Sequence, residues 1–160
     1  MKKFIHLHSD LISQISSVLI ERQETISIAE SCTGGFLSSC LTSLSGSSEF
    51  FIGSVVAYSI LIKNDLLGIS QNDIEKYGVV SKEVVCLMAN NMRKLSTTHW
   101  ALATTGYADL IDNNSKSHAW IAVANSESVN AQCVFFDKSR LENINIITLN
   151  ALKLLRKELV

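Results

Sequence analysis

Proline is absent from this 160-residue chain, and other features that mark specialised classes of protein are absent as well. Average usage of about 5% would give about eight prolines, so its turns must be made with glycine, asparagine, aspartate or serine. No apolar run reaches the length of about 18 residues that a membrane helix needs, so we expect no membrane partner. Two histidines interrupt the first ten residues, which make a poor signal peptide and favour a cytoplasmic location.

An excess of charge of one sign is also lacking. Fourteen lysines and arginines stand against 15 aspartates and glutamates, and no basic run stands out, so no nucleic-acid partner is expected. Four cysteines occur, none in a Cys-x-x-Cys pair, and the four histidines show no metal-ligand spacing. We therefore expect free thiols and neither a metal nor another cofactor. The cysteines are Cys32, Cys40, Cys86 and Cys133.

What the sequence does contain is a large apolar fraction, 47% of the residues, with only 18% charged. That balance predicts one well-packed domain over residues 1–160. Apolar runs predict strands at 25–29, 51–58, 100–105, 119–124 and 131–136. Helical periodicity lies between them, at 36–44, 59–67 and 71–77, in the segment after Ser81 and in the segments near both ends. This order predicts a three-layer α/β/α domain with a mixed, mostly parallel sheet.

Short polar side chains stand immediately before several helical patterns. Ser59 and Ser81 are predicted N-caps, Ser9 or Asp10 is expected to cap the first helix, and Ser139 or Arg140 is expected to open the last. Gly68 and Gly78 fit the ends of two short helices.

Sites in such sheets form where parallel strands end, and three loops qualify, at 30–35, 58–63 and 105–116. Together they hold a serine, a tyrosine and a lysine without a histidine or aspartate partner. This set suits acyl transfer by Ser31 and Lys63, because a desolvated lysine can take the proton of a serine hydroxyl. Each residue also has a structural interpretation: Ser31 as a helix cap, Tyr58 as a rim residue and Lys63 as a solvated side chain.

Other candidates have mainly structural interpretations. Cys32 adjoins Ser31, but no histidine lies near it in sequence, which favours an inward-facing thiol. His99 precedes a strand, and Trp120 lies within one, where core packing is the more frequent role. Glu30 can accept hydrogen bonds from the backbone N–H groups that follow it, and structural and functional roles are equally open.

Several ordered motifs give this chain a resemblance to a known family. They are Ala29-Glu30-Ser31-Cys32-Thr33-Gly34-Gly35, then Gly46-Ser47-Ser48, Val55-Val56-Ala57-Tyr58-Ser59 with Lys63, Tyr77-Gly78-Val79-Val80-Ser81, and Thr105-Gly106. Over roughly the first two thirds of the chain they resemble the CinA C-terminal domain family, the PncC-type nicotinamide mononucleotide amidohydrolases. The resemblance implies that family's CinA-like, anticodon-binding-domain-like α/β fold, and a homodimer or other homo-oligomer.

The resemblance also implies a reaction, the conversion of nicotinamide mononucleotide and water to nicotinate mononucleotide and ammonia. Ser31 would attack the amide carbon, Lys63 would act as general base and Tyr58 would relay or orient the proton between them. Backbone N–H groups around Thr33 and Gly34 would hold the oxyanion. The ligand would be a pyridine nucleotide or a related amide. The implied substrate-binding residues are Glu30, Cys32, Thr33, Gly34, Gly35, Ser48, Thr105, Gly106 and Arg140.

The chain departs from that family after Gly106. Glycines and a proline are replaced in the segment 106–118, and Asp109 and Asp112 would bring negative charge towards a phosphate. The family's Gly-Asp-Arg before the last helix is here Lys138-Ser139-Arg140. A second interpretation is therefore a catalytically impaired paralogue that acts as a nucleotide-binding or protein-interaction domain.

Overall fold

The computed structural model of the protein describes residues 2–109 and 117–160, and this part of the chain forms seven α-helices and five β-strands. In chain order these are helices α1 (Lys2–Leu7) and α2 (Ser9–Glu21), strand β1 (Ile26–Glu30), helix α3 (Phe36–Leu41), strand β2 (Phe51–Val56), helices α4 (Ile60–Asp65), α5 (Gln71–Tyr77) and α6 (Lys82–Ser96), strands β3 (Trp100–Gly106), β4 (Ser117–Ala124) and β5 (Val129–Phe136), and helix α7 (Arg140–Glu158). No helix within these ranges is long and apolar enough to cross a membrane.

The five strands form one mixed sheet in the order β2-β1-β3-β4-β5. Strand β1 pairs in parallel with both β2 and β3, whereas β4 is antiparallel to β3 and to β5. Four strands therefore run in one direction and only β4 opposes them, which confirms the predicted mixed, mostly parallel sheet. The carboxyl ends of β1, β2 and β3 lie side by side at one edge.

Two apolar cores separate the sheet from its two helical layers, so the three-layer prediction is also confirmed. Helices α1, α2, α3 and α7 cover one face, and α6 with the α4–α5 segment covers the other. Alternation along β1 sends Ile26 and Ile28 to the first core and Ala29 to the second. Alanines dominate the second face of the sheet, which lets α6 approach closely. They are Ala29, Ala101, Ala103, Ala122 and Ala124.

Helix capping follows the sequence in the middle of the chain but not at its start. The hydroxyls of Ser59 and Ser81 each accept a hydrogen bond from the first turn of their helix, α4 and α6. The predicted cap at Ser9 or Asp10 is wrong: α2 begins at Ser9, and His8 precedes it without a side-chain cap. The cause is α1, which precedes α2 almost without interruption, so the His8 carbonyl already accepts from the N–H of Ile12.

Helix α3, helix α4 and strand β2 end earlier than predicted, and the end of β2 shapes the site. Helix α4 stops at Asp65 instead of Leu67. Helix α3 stops at Leu41, where the hydroxyls of Thr42 and Ser43 bond to backbone carbonyls of the last turn. Strand β2 stops at Val56 and leaves Ala57 and Tyr58 beyond the sheet. The predicted loop 105–116 begins later because Thr105 and Gly106 still belong to β3, and its residues 110–116 lie outside the described residues.

Candidate active site

The carboxyl edge of the parallel strands carries a cleft of about 340 Å³. Ser31 follows β1, Lys63 lies on α4 after β2, and Thr105 is the second-last residue of β3, so the three predicted loops converge here. A larger cleft of about 530 Å³ lies at the opposite edge, near Arg93 and His99. Size does not decide between them, because the Ser–Lys chemistry is confined to the smaller cleft. Its remaining described lining is Cys32, Tyr58, Val79, Val80, Gly106, Tyr107, Ala108, Asp109 and Arg140.

Ser31 and Lys63 meet directly at the bottom of this cleft. The Lys63 Nζ lies 3.1 Å from the Ser31 Oγ and donates to the Ala57 carbonyl at 2.6 Å. Lys63 is only 1% exposed and Ser31 7% exposed, so neither side chain is a solvated surface group. The early end of β2 frees the Ala57 carbonyl, and the capped turn at Ser59 directs α4 so that its lysine reaches back to Ser31.

Burial lowers the pKa of Lys63 from its ordinary value to about 8, because desolvation disfavours the ammonium form. At neutral pH a minor fraction of Lys63 is therefore the neutral amine. In that form one N–H still donates to the Ala57 carbonyl, and the nitrogen lone pair can accept the Ser31 hydroxyl proton. The pair thus has the geometry and the basicity of a nucleophile with its general base.

Cys32 lines the same cleft but remains a thiol. It is 4% exposed, and burial raises the pKa of Cys32 to about 11. A thiol of that pKa is protonated at physiological pH, which leaves Ser31 as the only one of the two with an adjacent base.

Glu30 is placed as a structural residue rather than a ligand-binding one. Its carboxylate is fully buried and accepts from the backbone N–H groups of Gly35, Leu37 and Ser38 and from the Ser38 hydroxyl. These bonds occupy the amino end of α3 with a carboxylate of the protein itself. Both oxygens of the Glu30 carboxylate are engaged in this way, so the geometry favours the structural role that the sequence left open.

The glycines after Ser31 form a tight turn. Gly34 and Gly35 adopt left-handed backbone angles, φ +59° and +97°, which favour glycine. The N–H of Gly34 donates to the Ser31 carbonyl and that of Gly35 to Glu30, so neither is free to hold an oxyanion. Within the described ranges, the N–H groups of Cys32 and Thr33 donate to no backbone carbonyl and are the candidates for that role.

Tyr58 does not lie between Ser31 and Lys63. Its side chain is 60% exposed, and its hydroxyl accepts from the Arg140 guanidinium at 3.0 Å. Because the contact between Ser31 and Lys63 is direct, proton transfer between them needs no relay through Tyr58. Tyr58 is a rim residue, and it links the loop after β2 to the start of α7.

Ser48 lies far from the cleft. It is exposed and precedes β2, in the short turn Ser47–Glu49, and therefore sits at the amino end of that strand. A strand of this length spans about 20 Å, so the whole of β2 separates Ser48 from the carboxyl edge. Within one copy of the chain, Ser48 therefore lies apart from the described lining of the cleft.

Thr105 and Gly106 line the cleft, and each has a structural function as well. The Thr105 hydroxyl donates to the Val79 carbonyl at 2.8 Å and ties β3 to the segment before α6. A Cβ on Gly106 would lie 2.4 Å from the Cβ of Ala119 on β4, so only glycine fits this pairing. The pairing of β3 with β4 therefore requires glycine at this position, independently of any ligand.

Sequence reasoning missed two polar residues that organise the site. The Thr104 hydroxyl contacts the Thr33 hydroxyl and accepts from the N–H of Ser31, and so holds the turn after β1 against β3. Asn143 is fully buried in α7 and donates to the carbonyl of Ala108, which anchors the loop after β3. A buried polar residue inside an apolar strand or beside an apolar helical stripe is the signal that could have found both.

A model of the CinA C-terminal domain family matches residues 8–159 of the chain. A CinA-like protein from Amoebophilus asiaticus is 36% identical over 156 residues, which are 95% of this chain and 38% of that protein. A CinA-like protein from Prochlorococcus marinus (strain MIT 9312) is 48% identical over 101 residues, 63% of this chain and 24% of that protein. The chain thus spans well under half the length of these curated relatives.

A solved structure has the same fold. The competence damage-inducible protein A (ComA) from Klebsiella pneumoniae superposes with a TM-score of 0.88 at 24% identity, over 94% of this chain and 95% of that one. At this identity the likeness concerns the fold alone. It places the cleft described above on a known architecture.

Proposed function

Because the chain belongs to the CinA C-terminal domain family, we propose that it hydrolyses the carboxamide of a pyridine nucleotide or a related amide. The single observation that carries this proposal is the direct contact between Ser31 and Lys63, with its Oγ–Nζ distance of 3.1 Å, in a buried cleft. The resemblance of the surrounding motifs supports nicotinamide mononucleotide as the reference substrate.

The reaction begins with neutral Lys63. Its amine takes the Ser31 proton as the Oγ bonds to the amide carbon, and the carbonyl oxygen becomes an oxyanion. The N–H groups of Cys32 and Thr33 are the donors proposed to stabilise that oxyanion. The Lys63 ammonium then protonates the leaving nitrogen, the carbon–nitrogen bond breaks, and ammonia departs from an acyl-serine ester.

The second half of the reaction returns the enzyme to its initial state. Lys63, neutral again, takes a proton from water, and the resulting hydroxide bonds to the ester carbon. The bond from that carbon to Ser31 Oγ breaks, Lys63 returns the proton to the serine, and the product leaves as a carboxylic acid that ionises in water. One amide and one water are consumed, and one carboxylate and one ammonium ion are formed at neutral pH.

A second candidate function is ligand binding without turnover. The observation that favours it is the ion pair between Arg140 and Asp109 at the cleft rim, which places an acidic residue where an anionic ligand group would be recognised. A binding domain would hold its ligand above Ser31 but release no ammonia.

Ammonia release from nicotinamide mononucleotide distinguishes the two functions. The wild-type chain should release ammonia with turnover, and Ser31→Ala should reduce the rate to background. Ser54→Ala, on the exposed face of β2 and away from the cleft, is the matched control and should leave the rate unchanged. Activity that survives Ser31→Ala would overturn the mechanism. Ligand binding by the wild-type chain without ammonia release would favour the second candidate.

A further inference from the structure

Arg140 is the cationic side chain at the rim of the cleft, and both ends of its guanidinium are occupied by the protein itself. It lies in the first turn of α7, donates through one nitrogen to the Tyr58 hydroxyl and pairs through the other with the Asp109 carboxylate. The side chains of Arg140 and Asp109 are 43% and 69% exposed, so a ligand can reach the pair from solvent.

Asp109 is held at this place by its backbone. The hydroxyl of Ser117 donates to the Asp109 carbonyl at 2.6 Å, and buried Asn143 donates to the carbonyl of Ala108 at 2.8 Å. Ala108 is itself buried, with 3% exposure. The loop after β3 therefore presents the Asp109 carboxylate to Arg140 from a fixed position.

Among the described lining residues, the charged side chains are few. In the described part of the lining they belong to Lys63, Arg140 and Asp109. Lys63 lies at the bottom, bonded to Ser31 and to the Ala57 carbonyl. Within the described lining, Arg140 is therefore the exposed cation that an anionic group can reach, and there it meets a carboxylate that already occupies the guanidinium.

We infer that Asp109 is a specificity-determining residue that competes with an anionic substrate group for Arg140. The cleft then prefers carboxamides without an anionic group over the same amides carrying a phosphate or a carboxylate. For pyridine substrates the preferred class is the cationic nucleoside rather than its phosphate monoester, since Asp109 repels the phosphate and tolerates the pyridinium. This inference rests on the proposed amide hydrolysis for its reaction, but not for its binding preference.

The size of the effect follows from exposure. An exposed ion pair contributes up to about 1 kcal/mol. An anionic ligand that must first displace Asp109 from Arg140 therefore binds up to about fivefold more weakly. Repulsion between the carboxylate and a bound phosphate adds to this. Removing the charge should therefore raise anion affinity by about tenfold at low ionic strength.

The experiment measures binding and turnover separately. Binding of nicotinamide mononucleotide and nicotinamide riboside is followed by calorimetry in a Ser31→Ala background, alone and combined with Asp109→Asn, Arg140→Gln or both. Asp137→Asn removes an acidic group that pairs with Lys138 outside the cleft and is the charge-matched control. Ammonia release by the same set with Ser31 intact gives the kcat/KM ratio of the two substrates.

Asp109→Asn is expected to raise the mononucleotide-to-riboside affinity ratio about tenfold, whereas Asp137→Asn changes it less than twofold. With Arg140→Gln present, Asp109→Asn should lose most of its effect. An unchanged ratio in Asp109→Asn, an equal effect of Asp137→Asn, or no binding of either ligand to any variant would overturn the inference. If the binding ratio shifts but no variant with Ser31 intact releases ammonia, the proposed reaction fails and the specificity role stands.

Discussion

The bottom and the rim of the cleft are built on different physical principles. At the bottom, Ser31 and Lys63 are almost completely buried, and desolvation gives Lys63 a pKa of about 8. At the rim, Tyr58, Arg140 and Asp109 are exposed and interact through groups that water and salt can reach. Burial changes the chemistry of a side chain, whereas exposed charges select among ligands at modest energies. Variants of the two regions should therefore differ in the size and kind of their effects.

The largest effect is expected at the bottom. Lys63→Met retains the buried apolar stem but removes the base, so kcat/KM for ammonia release should fall about 10³-fold with little change in KM. The matched control is Lys153→Met on the exposed side of α7, which should behave as wild type. A Lys63→Met variant within about tenfold of wild type would exclude Lys63 as the general base.

Weakening the Glu30 cap at the start of α3 should lower the stability of the fold. Glu30→Gln keeps the side-chain shape but loses acceptors for the N–H groups at the start of α3, so the free energy of unfolding should fall by about 3 kcal/mol. Urea unfolding measures the change, and Glu21→Gln, at the exposed end of α2, should shift it by less than about 0.5 kcal/mol. Equal stabilities for Glu30→Gln and wild type would contradict the capping role.

Tyr58 tests the boundary between the two regions. Tyr58→Phe removes the hydroxyl that accepts from Arg140. It should raise KM for the mononucleotide about threefold and leave kcat within about twofold. A fall in kcat of about 10²-fold would restore the proton relay that the sequence predicted and that the direct contact between Ser31 and Lys63 replaces.

The smallest effect is that of salt. Raising ionic strength from about 0.05 M to about 0.5 M screens exposed charges, so the mononucleotide-to-riboside ratio of kcat/KM should change by about two- to threefold. The kcat for the riboside should change by less, because the buried pair is screened little. A large salt effect on that kcat would show that water and ions reach the Ser31–Lys63 pair at the bottom of the cleft.

The sequence predicted the fold well because its signals were local. Apolar runs located the five strands, and Ser59 and Ser81 marked two helix starts through their hydroxyl caps. The error at Ser9 arose because α1 precedes α2 directly, and nothing in the composition of residues 2–7 shows that they are helical. Chain direction explains why Ser48 lies apart from the cleft, since it precedes β2 and the cleft lies at the carboxyl end of that strand.

The bottom of the site was easier to predict than the rim. Ser31 and Lys63 follow parallel strands and Thr105 lies near the carboxyl end of another, so topology alone brings them to one edge. The partner of Arg140 could not be predicted, because Asp109 and Arg140 are 31 residues apart and meet through a loop anchored by Asn143. The capping of α3 by Glu30 could not be predicted either, because it depends on how the turn with the two glycines after Ser31 folds back towards the carboxylate.

The pH dependence of kcat/KM tests the activation of Ser31 by Lys63 most directly. Only the neutral amine takes the serine proton, so activity must increase with pH as Lys63 loses its proton around its pKa of about 8. Ammonia release from nicotinamide riboside should rise about tenfold per pH unit between pH 6 and 7.5 and level off above about 8.5. A profile that is flat or falling across this range would contradict the account.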